Sequence, residues 1–172
     1  MIRQLQIWMV LTMLTGMMFV FGACRNSFNK CLSGTGDQMV ERRKMHSFRN
    51  IEVSDNIRLE IVQGEMHEVQ ISAGDKLIPM IRTRIENDVL HISNESICPL
   101  LKDPWKPVDV VVSLPDMDSL LIKSQSEVKI PVPFKTDNLY VRVTESAAHV
   151  ILNVETGYLR FGLTDGPADA II

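Results

Sequence analysis

From Val108 onward the chain repeats a strand-turn-strand unit on a fixed spacing, and this limits its fold more than any other feature. Val108-Asp109-Val110-Val111-Val112 leads through Leu114-Pro115-Asp116-Met117-Asp118 to Leu120-Leu121-Ile122-Lys123, and then to Val128-Lys129-Ile130. Leu139-Tyr140-Val141-Arg142-Val143 leads in the same way to Val150-Ile151-Leu152, and Tyr158-Leu159-Arg160-Phe161 to Ala170-Ile171-Ile172. Leu120, Leu139 and Tyr158 recur about every nineteen residues, and Val128, Val150 and Ala170 about every twenty. Two short strands and two turns in that length make one coil of a β-solenoid. The period therefore predicts an all-β fold with coils of about twenty residues. A β-sandwich has similar strand spacing and remains the alternative, although it explains the alternation and not the repeat.

The first half alternates without so clear a period. Ile51 and Val53 alternate with Glu52, and Ile57, Leu59 and Ile61 with Arg58 and Glu60, while Ser54-Asp55-Asn56 supplies turn chemistry between them. Phe48–Ile61 thus reads as strand, corner, strand, each with one apolar face. Gln63-Gly64-Glu65 and Gly74-Asp75 are further turns, and Asn87-Asp88 between two alternating runs is a hairpin signal. In Leu77-Ile78-Pro79-Met80-Ile81 the internal proline predicts a bend or an edge position rather than a helix. Between Asn94 and Lys106 the rhythm breaks, with Pro99 and Pro104 inside the stretch and Pro107 just beyond it. Trp105 there is either a stacking platform for a sugar ring or a rim residue over the core.

The N-terminus is not part of this pattern. Arg3, an uncharged apolar run and Gly22-Ala23 form a secretory signal peptide over residues 1–23, with a short transmembrane anchor as the alternative. Phe21-Gly22-Ala23-Cys24 resembles the bacterial lipobox, which assigns lipidation to Cys24 and a membrane partner to the chain through that lipid. Residues 24–40 read as a lipidated N-terminus and tether, since Arg25 to Gln38 is rich in Ser, Asn, Gly and Thr. Residues 41–172 read as the solenoid domain. Glu41-Arg42-Arg43-Lys44 opens it, as a solvated entry into the first strand or as a contact for headgroups or a partner.

The chain has three cysteines. With Cys24 on the lipid, Cys31 and Cys98 are left as a disulfide candidate, with two buried free thiols as the alternative. The bridge would close a loop of about 67 residues, worth roughly 4 kcal/mol in the chain-entropy account. Zinc is disfavoured because no histidine stands at ligand spacing from either cysteine.

A formal charge of −3 offers no basic field for nucleic acid, which is excluded as a partner. Neither a nucleophile elbow, nor a phosphate-cradling glycine loop, nor an HExxH helix is present, so no catalytic residue, cofactor or metal is assigned. The pairs Asp116/Asp118 and Asp165/Asp169 suit Ca²⁺ or acid–base work, but the adjacent Pro115, Gly166 and Pro167 favour turn residues bonding their own backbone. Lys123, Arg142 and Arg160 fall at related coil positions and are, with Trp105, the candidate binding residues; the alternative is an exposed charged face. His67 and His149 read as surface residues.

Several segments together carry a family resemblance. Cys31-Leu32-Ser33-Gly34-Thr35-Gly36-Asp37, Glu41-Arg42, Phe48-Arg49-Asn50-Ile51-Glu52-Val53-Ser54-Asp55-Asn56-Ile57 and Leu77-Ile78-Pro79-Met80-Ile81 look like the head GIN domain family of secreted bacterial proteins and lipoproteins, adhesin-head proteins of largely unknown function. The resemblance runs from about Cys31 to the end. It implies a right-handed, single-stranded β-helix in the cell envelope. Where relatives carry Gly-Ser-Gly-Asp-like turns, this chain has Ser124-Gln125-Ser126-Glu127, Ser146-Ala147-Ala148-His149 and Gly166-Pro167-Ala168-Asp169. Family members also run further, so the chain is expected to lack C-terminal coils and to offer an uncapped edge for self-association.

The functional expectation is an outer-membrane lipoprotein, periplasmic or surface-facing, whose non-catalytic domain binds glycan or protein. The alternatives are a polysaccharide-active enzyme on a β-helix frame and a structural, self-associating envelope protein.

Overall fold

The computed structural model describes residues 35–96, 108–123, 126–144, 148–164 and 169–172. They are strand almost throughout: β1 (Gln38–Lys44), β2 (Asn50–Val53), β3 (Ile57–Gln63), β4 (Glu68–Gly74), β5 (Ile81–Glu86), β6 (Val89–Asn94), β7 (Val108–Leu114), β8 (Ser119–Lys123), β9 (Glu127–Thr144), β10 (His149–Thr164) and β11 (Asp169–Ile171). The alternation read from the sequence is the alternation of burial. Ile57, Leu59 and Ile61 point in while Arg58 and Glu60 point out, and Val108, Val110, Val112 and Leu114 do the same in β7. All strands belong to one eleven-stranded sheet.

The long strand β9 makes that sheet curl around its core. Its first leg pairs with β3 through Arg58↔Glu127 to Glu60↔Lys129, and its second leg pairs with β8 through Ser119↔Tyr140 to Lys123↔Thr144. Between the legs, Pro131, Val132 and Pro133 form an exposed corner. Prolines suit that place because the chain turns there and the missing N–H costs little. Directly after the corner Phe134 turns inward and is fully buried. Val128 and Ile130 from one leg, and Val141 and Val143 from the other, therefore meet in a single core with Ile51, Leu59, Leu90 and Leu120. Burying each such side chain is worth about 1.5–3 kcal/mol.

Among the described residues seven strand pairings are parallel and three antiparallel. An immunoglobulin-like sandwich is antiparallel, so that alternative fits the pairings poorly. The predicted equivalence of Val128, Val150 and Ala170 appears as direct ladder partners along β9, β10 and β11. The equivalence of Leu120, Leu139 and Tyr158 does not. Leu120 pairs with Val141, Leu139 with Leu159, and Tyr158 with Asn138. The ladder does not keep one offset: between the pairs Ile130↔Leu152 and Phe134↔Val154, β9 spends Pro131, Val132 and Pro133 where β10 spends Asn153 alone, so partners move two residues past the corner.

The N-terminal part is mixed. β5 and β6 form an antiparallel hairpin whose turn residues Asn87 (φ 51°) and Asp88 (φ 65°) both take the left-handed conformation of a tight two-residue turn. Ser54-Asp55-Asn56 is a corner and not a hairpin, because β2 pairs with β6 and β8 while β3 pairs with β7 and β9. The buried Ser126 hydroxyl donates to Asp55 O at 2.7 Å, and the Asp55 carboxylate accepts Asn94 N–H at 3.1 Å. Pro79 corrects one expectation. Ile78–Met80 is a single 3-10 turn, which tolerates proline at its start because that N–H has no helical partner.

β1 opens at Gln38, within the stretch read as tether, and Arg43 in its charge run is not merely solvated. Its guanidinium donates to Ile81 O at 2.7 Å, Thr83 Oγ1 at 2.9 Å and Ile78 O at 3.3 Å. It thereby ties β1 to β5, the two strands at the ends of the main strand order. Charged side chains along such edges also discourage pairing with other chains.

Candidate binding face

The outer face of β8, β9 and β10 holds the three described residues singled out for binding, Lys123, Arg142 and Arg160. Tyr140, Arg142 and Thr144 alternate outward on β9, as Arg160, Gly162 and Thr164 do on β10. The parallel register sets them in rows: Ser119, Tyr140 and Arg160 in one, Leu121, Arg142 and Gly162 in the next, Lys123, Thr144 and Thr164 in the third. Lys123, Arg142 and Arg160 thus share a face but not a column. Lys123 is engaged elsewhere, with Nζ 2.9 Å from Glu52 Oε1, and His91 Nδ1 lies 3.3 Å from the same oxygen. Burial pushes the Glu52 carboxyl up, but hydrogen bonds and charge from Lys123 and His91 outweigh it and hold the group below its usual range.

Arg142 and Arg160 remain. With Tyr140, Val141, Gly162 and Thr164 they line a shallow, half-open depression of about 220 Å³. At Gly162 in that lining, a Cβ would meet no atom within 4 Å. The exposed ring of Tyr140 packs against that of Tyr158, with centroids 5.8 Å apart. These tyrosines were missed in the sequence reading, although a repeated Tyr-x-Arg (Tyr140-Val141-Arg142, Tyr158-Leu159-Arg160) marks them. Cys24, Cys31, Cys98 and Trp105 lie outside the described residues.

The acidic pairs behave otherwise. Arg49 donates through Nε to Asp118 Oδ2 and through Nη2 to Asp118 Oδ1, both at 2.7 Å, and through Nη2 to Asp116 Oδ2 at 2.8 Å. Asp116 Oδ1 also accepts the Met117 N–H and the Thr136 hydroxyl. The hydrogen bond from Arg49 holds Asp118 below the usual carboxylate range, while the two acids raise the guanidinium. These carboxylates staple the β7–β8 turn to Arg49 and are spent on that. A more open cleft of about 450 Å³ beside them, lined by Asp116, Lys135, Thr136, Asp137 and Glu155, is crossed by a 3.1 Å Lys135–Glu155 ion pair. Of the second pair, Asp165 lies outside the described residues and Asp169 sits on β11. His67 departs from expectation: half-buried, it meets Phe48 edge-on at 4.9 Å, with Nε2 3.1 Å from Phe48 O. His149 is exposed as expected. No group of three or more His, Cys, Asp or Glu among the described residues could hold a metal ion.

The described residues thus form a curled, largely parallel sheet with charged and polar side chains on its outer face. The chain belongs to the "Putative auto-transporter adhesin, head GIN domain" family, whose profile matches residues 47–166. Among solved structures it resembles a "putative adhesin" from Parabacteroides merdae at 17% identity and TM-score 0.62, over 76% of this chain and 54% of that one. It also resembles a "putative lipid binding protein" from Parabacteroides distasonis at 13% identity and TM-score 0.59, over 78% of this chain and 60% of that one. The chain therefore spans little more than half the length of these relatives. No curated protein matches it.

Proposed function

We propose that this chain is a lipid-anchored cell-envelope protein whose β-helix domain is a non-catalytic adhesin module, binding a glycan or protein through the outer face of β8–β10. The observation that carries the reading is the depression lined by two arginines, each without a described partner, and by Gly162, beside an exposed tyrosine pair. Membership of the adhesin-head family supports the binding role and a place at the cell envelope. The in-register stacking of Val128, Val150 and Ala170 supports a helical winding of the sheet, with one coil per twenty residues or so. The lipobox-like Phe21-Gly22-Ala23-Cys24 supports anchoring through Cys24 in the outer membrane, and a Cys31–Cys98 disulfide would join the tether to the domain.

Two measurements test it. Full chain in detergent, probed on arrays of glycans and envelope proteins, is expected to retain a ligand that the Arg142→Gln/Arg160→Gln variant loses; equal retention by both overturns the assignment of the face. Labelling of expressing cells with a palmitate analogue is expected to mark the wild type and not Cys24→Ser, and equal labelling would contradict the anchor.

A further inference from the structure

The same depression narrows the class of ligand, and this step rests on the binding-face reading above. We infer that the site formed by Tyr140, Arg142, Arg160 and Gly162 takes a carboxylate-bearing sugar, a uronic acid residue of an acidic glycan.

Charge pairing makes the first argument. Eight arginines fall among the described residues. Six have an acidic partner within 4.0 Å: Arg42 with Glu68, Arg43 with Glu41, Arg49 with Asp116 and Asp118, Arg58 with Asp109 and Glu127, Arg82 with Glu95, and Arg84 with Glu86. Arg142 and Arg160 have none among the described residues, and both line the one depression. Two like charges on neighbouring strands repel each other, and an anion seated between them relieves that cost. On a chain of net charge −3 this local excess of positive charge stands out. Guanidinium groups suit a carboxylate because their fork binds both oxygens at once.

Shape and lining make the second. At about 220 Å³ the space is smaller than the roughly 300–1,000 Å³ of drug-sized sites, which suits one sugar ring. An exposed tyrosine presents an apolar ring face on which a pyranose can lie, with a hydroxyl at its tip. Of the surrounding outward positions, Asn138, Thr144 and Thr164 are uncharged hydrogen-bonding residues that match sugar hydroxyls, while Leu121 is apolar, Ser119 donates its hydroxyl to Asn50 and Lys123 is paired with Glu52. An acidic peptide would need neither the ring nor those hydroxyl and amide groups.

The test compares α-1,4-linked oligomers of galacturonate and of galactose, which differ in a carboxylate against a hydroxymethyl group. Calorimetric titration of the full chain in detergent is expected to show the uronate binding at least tenfold more tightly. Arg142→Gln and Arg160→Gln are each expected to weaken uronate binding at least tenfold, and Gly162→Val to abolish it while the thermal midpoint stays level or rises. Equal affinity for the two oligomers, uronate binding unaffected by the arginine variants, or equally tight binding of an oligoglutamate would each overturn the inference. Neutral glycan binding that still depends on this face would leave the binding-face reading standing and remove only the carboxylate specificity. Loss of binding by every probe, with a partner protein still captured through the face, would remove the glycan ligand altogether.

Discussion

Tyr140 and Arg160 are ladder partners across β9 and β10. The two Tyr-x-Arg segments are eighteen residues apart in sequence, yet the strands there pair at twenty, so unlike residues become neighbours. Tyr140 meets Arg160 and Arg142 meets Gly162, and that offset of two is what opens the depression. Had the segments paired like with like, Arg142 and Arg160 would stand side by side and no glycine would lie beside Arg142.

Gly162 is the first consequence. A glycine inside a strand costs about 0.5–1 kcal/mol relative to a residue with a Cβ, and nothing lies within 4 Å to clash with one here. Gly162→Val is expected to stabilise the domain by about that amount in urea unfolding. A glycine at a position where the fold does not require one fits a ligand site.

Gly74 makes the contrast. A Cβ there would come within 2.0 Å of Thr35 O, a backbone atom that cannot rotate away. Gly74→Ala is expected to destabilise by about 1–3 kcal/mol, the usual cost of overpacking, read as a lower urea midpoint. An unchanged midpoint would show that Thr35 is not held against β4.

Arg43 provides a test of the link between β1 and β5. Truncating it to alanine removes the guanidinium donor from the Ile81 carbonyl and the Thr83 hydroxyl, a loss of about 1–3 kcal/mol, while Ile78 O keeps the Ile81 N–H. Arg43→Lys is expected to recover little, because a single ammonium cannot span acceptors arranged for a fork. Chemical denaturation of the three proteins gives the comparison.

The Arg49 staple predicts a pH dependence. Asp118 titrates below its unfolded value, near 3.9, because Arg49 bonds its charged form. A carboxylate lowered in the folded state contributes stability that is fully present above that unfolded value and is lost as pH falls through the folded one. Wild type is therefore expected to exceed Arg49→Met in thermal midpoint at pH 7, with the gap closing below about pH 4. Exposure of all three side chains keeps the gap small, and high salt should shrink it further.

What the sequence made legible follows from which forces are local. Alternation tells each side chain its face, so Ile57, Leu59 and Ile61 could be placed in the core directly. Neighbours are another matter. Nothing in the alternation of β3 and β4 shows that β7 inserts between them, parallel to one and antiparallel to the other. The period located Val128 opposite Val150, but it could not foresee that Pro131-Val132-Pro133 would take up two extra residues and shift every partner beyond the corner. The same limit hid the site. Lys123, Arg142 and Arg160 were placed on one face, whereas Glu52, seventy-one residues before Lys123, withdraws that lysine from the set. Asp116 and Asp118 read as turn residues bonding their own backbone, which Asp116 does through the Met117 N–H, but the partner that holds both, Arg49, lies nearly seventy residues away.

The central claim is that ligands bind the outer face of β8–β10. Hydrogen–deuterium exchange of the full chain with and without oligogalacturonate tests it most directly. The account predicts added protection confined to residues 119–123, 138–144 and 158–164, absent in Arg142→Gln/Arg160→Gln. Protection that falls instead on β3 and the first leg of β9, or that survives in the double variant, would contradict it.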